Sequence, residues 1–297
     1  MSLVINHNMM AATAARNLNN SYGALAKSTQ RLSSGLRINT AADDAAGLAI
    51  RELMRADISA TNQGVRNAND AISMIQTADG ALQVVDEKLI RMKELAEQAA
   101  TGTYTSDQRL IIDSEYQAMA SEITRIANAT DFNGIYLLNG NLSGATHNGS
   151  GAVATGKLKV HFGSGNNSSE DYYYVQIGNS TASAFGVGIG AGAGAQGKSI
   201  STQELAQKAL DALKTAIVSK DKIRANLGAL QNRLENTISN LQVQSENLQA
   251  AESQISDVDV ATEMTQFVRN QILTQSAVAM LSQANSMPKM AMQLIGG

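Results

Sequence analysis

From Leu227 the chain places a large aliphatic side chain at every seventh position: Leu227, Leu234, Leu241, Leu248 and Ile255. Leu230, Thr237, Gln244 and Ala251 stand between them. This three–four alternation lays one stripe along one face of a helix, as a coiled-coil seam requires. The flanking Asn, Gln, Glu and Arg residues keep the other face wet. The single proline among 297 residues is Pro288, so almost nothing ahead of it breaks a long helix. The chain is predicted to be mainly α.

A second stripe runs through Ile72, Ile75, Ala78, Leu82, Val85, Leu89, Met92, Ala96 and Ala99. Thr101-Gly102-Thr103 ends it, and Ser106-Asp107-Gln108 opens another helical stretch to about Asn128, which completes a helical hairpin. Near the start, Ala11, Ala15, Leu18, Tyr22, Leu25, Leu32 and Leu36 follow a heptad grid from Val4. Near the end, Leu273, Ala277, Met280, Ala284, Met287, Ala291 and Leu294 do the same. These two stripes are poor in large residues, so each needs a partner helix in this molecule or another. The terminal helices are expected to become ordered only in an assembly.

The middle differs. Leu158–Phe162 and Tyr172–Ile177 read as strands around a turn at 163–167, which predicts a β-hairpin. Residues 178–197, with Gly at 186, 188, 190, 192, 194 and 197, read as a Gly/Ala-rich surface loop.

Composition excludes several function classes. The formal net charge is -3 with both signs scattered, which supplies no basic stripe for nucleic acid. No apolar run approaches the roughly 20 residues that span a bilayer, and the first residues lack a secretory signal's basic and apolar regions. With no cysteine, disulfides and thiolate sites are out. His7, His147 and His161 lie in unlike segments and make no metal motif. Asp43-Asp44 point in different directions on a helix, so helix capping is the natural role of this pair, not acid–base work. No cofactor, metal or enzymatic activity is expected.

The first bend, Arg31-Leu32-Ser33-Ser34-Gly35-Leu36-Arg37-Ile38-Asn39-Thr40-Ala41-Ala42-Asp43-Asp44-Ala45-Ala46-Gly47-Leu48-Ala49-Ile50, closely resembles the signature of bacterial flagellins. Further matches are Thr130-Asp131-Phe132-Asn133-Gly134, Leu227-Gly228-Ala229-Leu230-Gln231-Asn232-Arg233-Leu234-Glu235, and the terminal stretch from Gln271-Ile272-Leu273 through Ala284-Asn285. The resemblance covers about residues 1–140 and 198–297.

It implies an elongated helical rod and a coiled coil built from both chain ends, with a small central β-hairpin. The implied domains are a filament core (1–40 plus 258–297), a rod (41–177 plus 198–257) and the surface loop 178–197. The chain would polymerise with itself into the extracellular flagellar filament for swimming motility. It would be exported unfolded by the flagellar type III system, with an export chaperone and with hook-associated junction and cap proteins as partners. Leu18, Leu25, Leu32, Leu36, Leu273, Met280, Met287 and Leu294 would serve assembly. Leu227, Leu234, Leu241, Leu248 and Ile255 would form the rod seam. Resemblance also assigns Arg91, Leu95 and Glu115 to contact with the host Toll-like receptor that senses flagellins. The alternatives are a hook–filament junction protein and a cytoplasmic helical adaptor.

Overall fold

A computed structural model of the chain describes residues 8–144, 156–168, 170–190 and 196–295. His7 and His147 lie outside them, as do the side chains of Ala291 and Leu294. The helices are α1 (Met9–Ser34), α2 (Ala45–Ala100), α3 (Ser106–Ala129), α4 (Ala182–Phe185), α5 (Gln203–Ser256) and α6 (Val260–Ile295). Four short strands, β1 (Asp131–Phe132), β2 (Ile135–Tyr136), β3 (Leu158–His161) and β4 (Tyr172–Val175), make two separate antiparallel hairpins. Two compact units result, Met1–Ile58 with Glu246–Gly297 and Ser59–Ser245. The boundaries fall inside α2 and α5, away from 40/41 and 257/258.

In the unit Ser59–Ser245 the apolar stripe of α2 from Ala68 to Ala99 is buried against α3, both hairpins and α5. A capping box starts α3: the Gln108 N–H donates to the Thr105 hydroxyl, and the Thr105 N–H donates to the Gln108 side chain. Such a cap contributes about 1 kcal/mol. Arg109 finishes α2 by donating to the carbonyls of Ala99 (3.0 Å) and Thr101 (2.9 Å), which the helix end would otherwise leave unpaired.

The first hairpin follows from Asn133-Gly134. Both residues have positive φ (51° and 79°), the requirement of a tight two-residue turn between twisted strands. The second hairpin pairs Leu158 with Val175 through His161 with Tyr172. It seats on α2 at Gly64, where an added Cβ would lie 1.9 Å from the Phe162 carbonyl oxygen.

The expected surface loop 178–197 is different in the structure. Ala182, Phe185 and Val187 are buried in the apolar cluster, and the Gly188 N–H donates to the Gly197 carbonyl (2.8 Å). The glycines allow close approach: a Cβ on Gly188 would lie 2.0 Å from that of Ala120. Residues 191–195 lie outside the described part.

In the other unit α1 and α6 pack along one another. Their seam lies one residue away from part of the expected grid. On α1 the inward positions include Ser21 and Ser28, while Tyr22 and Thr29 face out. On α6 they include Glu263, Asn270, Thr274, Leu281 and Ala284, while Leu273 and Met280 are exposed. The fully buried seam positions, Ser28, Glu263, Thr274 and Ala284, are small or polar and let the two helices approach, while Leu18, Leu25, Leu32 and Leu281 are half-buried beside them.

Candidate functional site

The seam residues occupy both units. Leu227, Leu234 and Leu241 are buried, whereas Leu248 and Ile255 are half-buried in the unit that holds the chain ends. Of the terminal residues, Leu18, Leu25, Leu32, Leu36 and Met287 are half-buried. Leu273 is 47% and Met280 63% exposed.

This exposure has a pattern. Met9 and Met10 of α1 join Leu273 and Met280 of α6 around a groove of about 700 Å³, with Thr13 and Ala277 also on its walls. Along α6, Val260, Met264, Val268, Ile272, Val278, Met290 and Met292 are exposed as well. An isolated exposed apolar residue needs no explanation, but four large ones gathered around a single groove mark an interaction surface.

The bend between α1 and α2 holds this unit together. Gly35, at φ 74°, ends α1, and its carbonyl accepts from Val258 N–H (3.0 Å) while Arg37 N–H donates to the Ser256 carbonyl (2.6 Å). The α1–α2 bend thereby pairs with the α5–α6 connection. Ile38 is buried there, and a Cβ on Gly47 would lie 2.7 Å from its Cδ1.

The acidic pair divides the work at this bend. Asp44 caps α2 by accepting from Gly47 N–H (2.9 Å). Asp43 pairs with Lys27 (2.7 Å) and accepts from Asn39 and Thr40 N–H. The Lys27 ammonium, with help from those amides, holds the Asp43 carboxyl well below the usual carboxylate range.

On the surface of α2 and α3, Arg91 pairs with Glu115 (2.8 Å) and Glu94 (3.0 Å). Glu115 and then Glu94 raise the guanidinium's pKa. Leu95 does not share this surface: it is 1% exposed, inside the cluster with Met92 and Ile112. A side chain with no accessible area cannot touch a partner of the folded chain, so its expected role as a direct contact is corrected to one in the core.

Two features escaped the sequence reading. Lys220 of α5 is 2% exposed and bonds to Asp86 (2.5 Å) and Asp221 (2.8 Å), while one turn on Arg224 pairs with Asp79 (2.7 Å). Its place in the heptad, between Ala216 and Leu227, is the available signal. The Tyr116 hydroxyl, fully buried, donates to the Gly197 carbonyl (2.7 Å), and burial pushes its pKa up.

Paired terminal helices that keep a band of apolar side chains uncovered define a class: structural subunits completed by association. The comparisons specify it. The family model for the bacterial flagellin N-terminal helical region matches residues 5–143, and that for the bacterial flagellin C-terminal helical region matches residues 210–295. The chain belongs to the bacterial flagellin family. It is 42% identical over 293 residues to a flagellin of Halalkalibacterium halodurans, covering 99% of this chain and 100% of that protein. It is 41% identical over 307 residues to the flagellin of Bacillus subtilis, covering 98% and 99%. A Vibrio parahaemolyticus structure described as flagellar hook-associated gives a TM-score of 0.56 at 18% identity, over 72% of this chain and 100% of that one. That is a likeness of fold alone.

Proposed function

We propose that this flagellin is the structural subunit of a bacterial flagellar filament and acts mechanically, through a stiff polymer, with no chemical step. The observation that carries the reading is the uncovered apolar band on α1 and α6, including Met9, Met10, Leu273 and Met280. Leu18, Leu25, Leu32, Leu36, Met287 and Leu294 belong to the same assembly helices, and copies of the chain cover the band. The polymer lies outside the cell. Among the described residues no helix is long and apolar enough to cross a membrane, and export unfolded through the flagellar type III channel, with a chaperone, delivers the chain to a cap and a hook-associated junction. A junction protein shares the fold, but no separate observation favours it here.

The test is an electron micrograph of the purified full chain under polymerising conditions, alongside a chain lacking residues 275–297. Long filaments are expected from the first and none from the second. A full chain that stays monomeric at every concentration, or a truncated one that polymerises normally, would sink the reading.

A host receptor is a second partner in this proposal, through the exposed, mutually paired Arg91 and Glu115, with Leu95 acting from beneath by holding α2 in place. Arg91→Ala and Glu115→Ala should weaken monomer binding to the receptor ectodomain with an unchanged melting temperature. Equal affinity in both variants removes the patch.

A further inference from the structure

Among the described residues, the edge of β3 turned away from β4 is largely unpaired. Phe162 N–H donates to the carbonyl of Asp171, the residue directly opposite it in the register. Alternation along an antiparallel ladder then turns the backbone groups of Leu158 and Val160 towards β4 and those of Lys159 and His161 away from it. The His161 carbonyl confirms the direction by accepting from the Asn67 side chain of α2 (2.8 Å). Among the described residues, the Lys159 N–H and C=O and the His161 N–H have no hydrogen-bond partner.

This edge borders a crevice of about 340 Å³ between β3, α2 and the turn of the first hairpin. Ala71, Met74 and Ile135 give it apolar walls, and Asp70 stands on the α2 side. Above it, the outward face of the hairpin bears Lys157, Lys159 and His161 on the β3 side and Tyr172, Tyr174 and Gln176 on the β4 side, with no carboxylate among them. The Lys159 ammonium lies 3.7 Å from the Tyr172 ring centre, and the Lys157 ammonium 4.6 Å from that of Tyr174. Asp171, at the end of the hairpin, is engaged with the Gly165 and Asn167 amides.

We propose that the free edge of β3 is a docking site for an extended peptide segment of a partner protein, in which aliphatic and acidic residues alternate. The backbone of such a segment would pair with the Lys159 N–H and C=O and the His161 N–H and add a strand to the sheet. Its inward side chains would meet Ala71, Met74 and Ile135, and its outward carboxylates would meet Lys159 and His161. A second copy of β3 is a poor occupant, because it would set lysine and histidine against their own kind; lysine on an edge strand disfavours that pairing.

The probe is a short capped, fluorescein-labelled peptide alternating valine and glutamate, titrated into the full-length monomer and read by anisotropy and by the amide shifts of Lys159 and His161. Saturable binding is expected. Methylating the alternate amides that face β3 should weaken it at least about tenfold, since the backbone pairing is lost. Lys159→Glu, whose fold is checked by circular dichroism, should weaken it by about tenfold and admit a valine–lysine peptide instead. No saturable binding at millimolar peptide overturns the proposal, as does equal affinity for the methylated peptide or an unchanged charge preference in Lys159→Glu. Concentration-dependent shifts of the same two amides without peptide would name a second copy as the occupant and overturn it too.

Discussion

At the scale of single residues, exposure separates side chains that sequence spacing groups together. Arg91 and Leu95 stand four apart on α2, yet one is at the surface and the other in the core. Leu95→Ala should therefore cost about 2–5 kcal/mol of stability, as a buried cavity does. Arg91→Ala should leave stability nearly unchanged, because the guanidinium and its partners are exposed to solvent. Denaturant titration of both variants checks the difference.

Asp43 yields a pH prediction. Its folded pKa lies below the unfolded value, so the carboxylate stabilises the fold above the ordinary carboxylate range. That contribution is lost as pH falls below about 4. Asp43→Asn should lower the melting temperature at neutral pH and flatten its fall on acidification. An equal acid slope in both proteins would refute the role.

At the scale of elements, helix register depends on more than the apolar stripe. A seven-residue repeat can slide by one heptad and still bury apolar side chains. The Asp79–Arg224 and Asp86–Lys220 pairs tie α2 to α5 at one alignment. Lys220 is the costlier member to strand, because a buried charge without partners is strongly destabilising. Asp86→Ala should destabilise by about 2 kcal/mol, with Asp221 keeping part of the pairing, and Asp79→Ala by less. Chemical denaturation of the two variants would show the order. The hairpin's seat on α2 is a steric matter: Gly64→Ala should cost about 1–3 kcal/mol by overpacking, seen as a lower melting temperature with the hairpin amides exchanging faster.

At the scale of the whole molecule, the unit Ser59–Ser245 owns the larger buried apolar clusters, and in the terminal unit the fully buried residues of α1 and α6 are few and small or polar, with leucines only half-buried beside them. Stability should follow that division. In the monomer, backbone amides of α1 and α6 should exchange hydrogen orders of magnitude faster than those of α2 around Leu82 and Leu89, and the difference should shrink in the filament. Exchange measured on both forms tests it, and equal protection of α6 before and after polymerisation would count against assembly through that helix.

The sequence alone determined what periodicity and turn chemistry encode: long helices, the stripe along α2, the capped start of α3 and the β3–β4 hairpin. It also carried the family, through the first-bend motif, because those residues meet strict local demands such as the positive φ of Gly35 and the crowding at Gly47. Asn133-Gly134 encodes the first hairpin just as locally through its positive φ values, although the strand pattern points only to the β3–β4 hairpin. Only the tertiary structure decided which of several near-equivalent faces is inward. Residues 21 and 22, or 273 and 274, differ by about 100° on a helix, and the choice falls to the packing of α1 on α6. Burial of Leu95, pairing of Lys220 and anchoring of Phe185 have the same origin, since each depends on neighbours far along the chain.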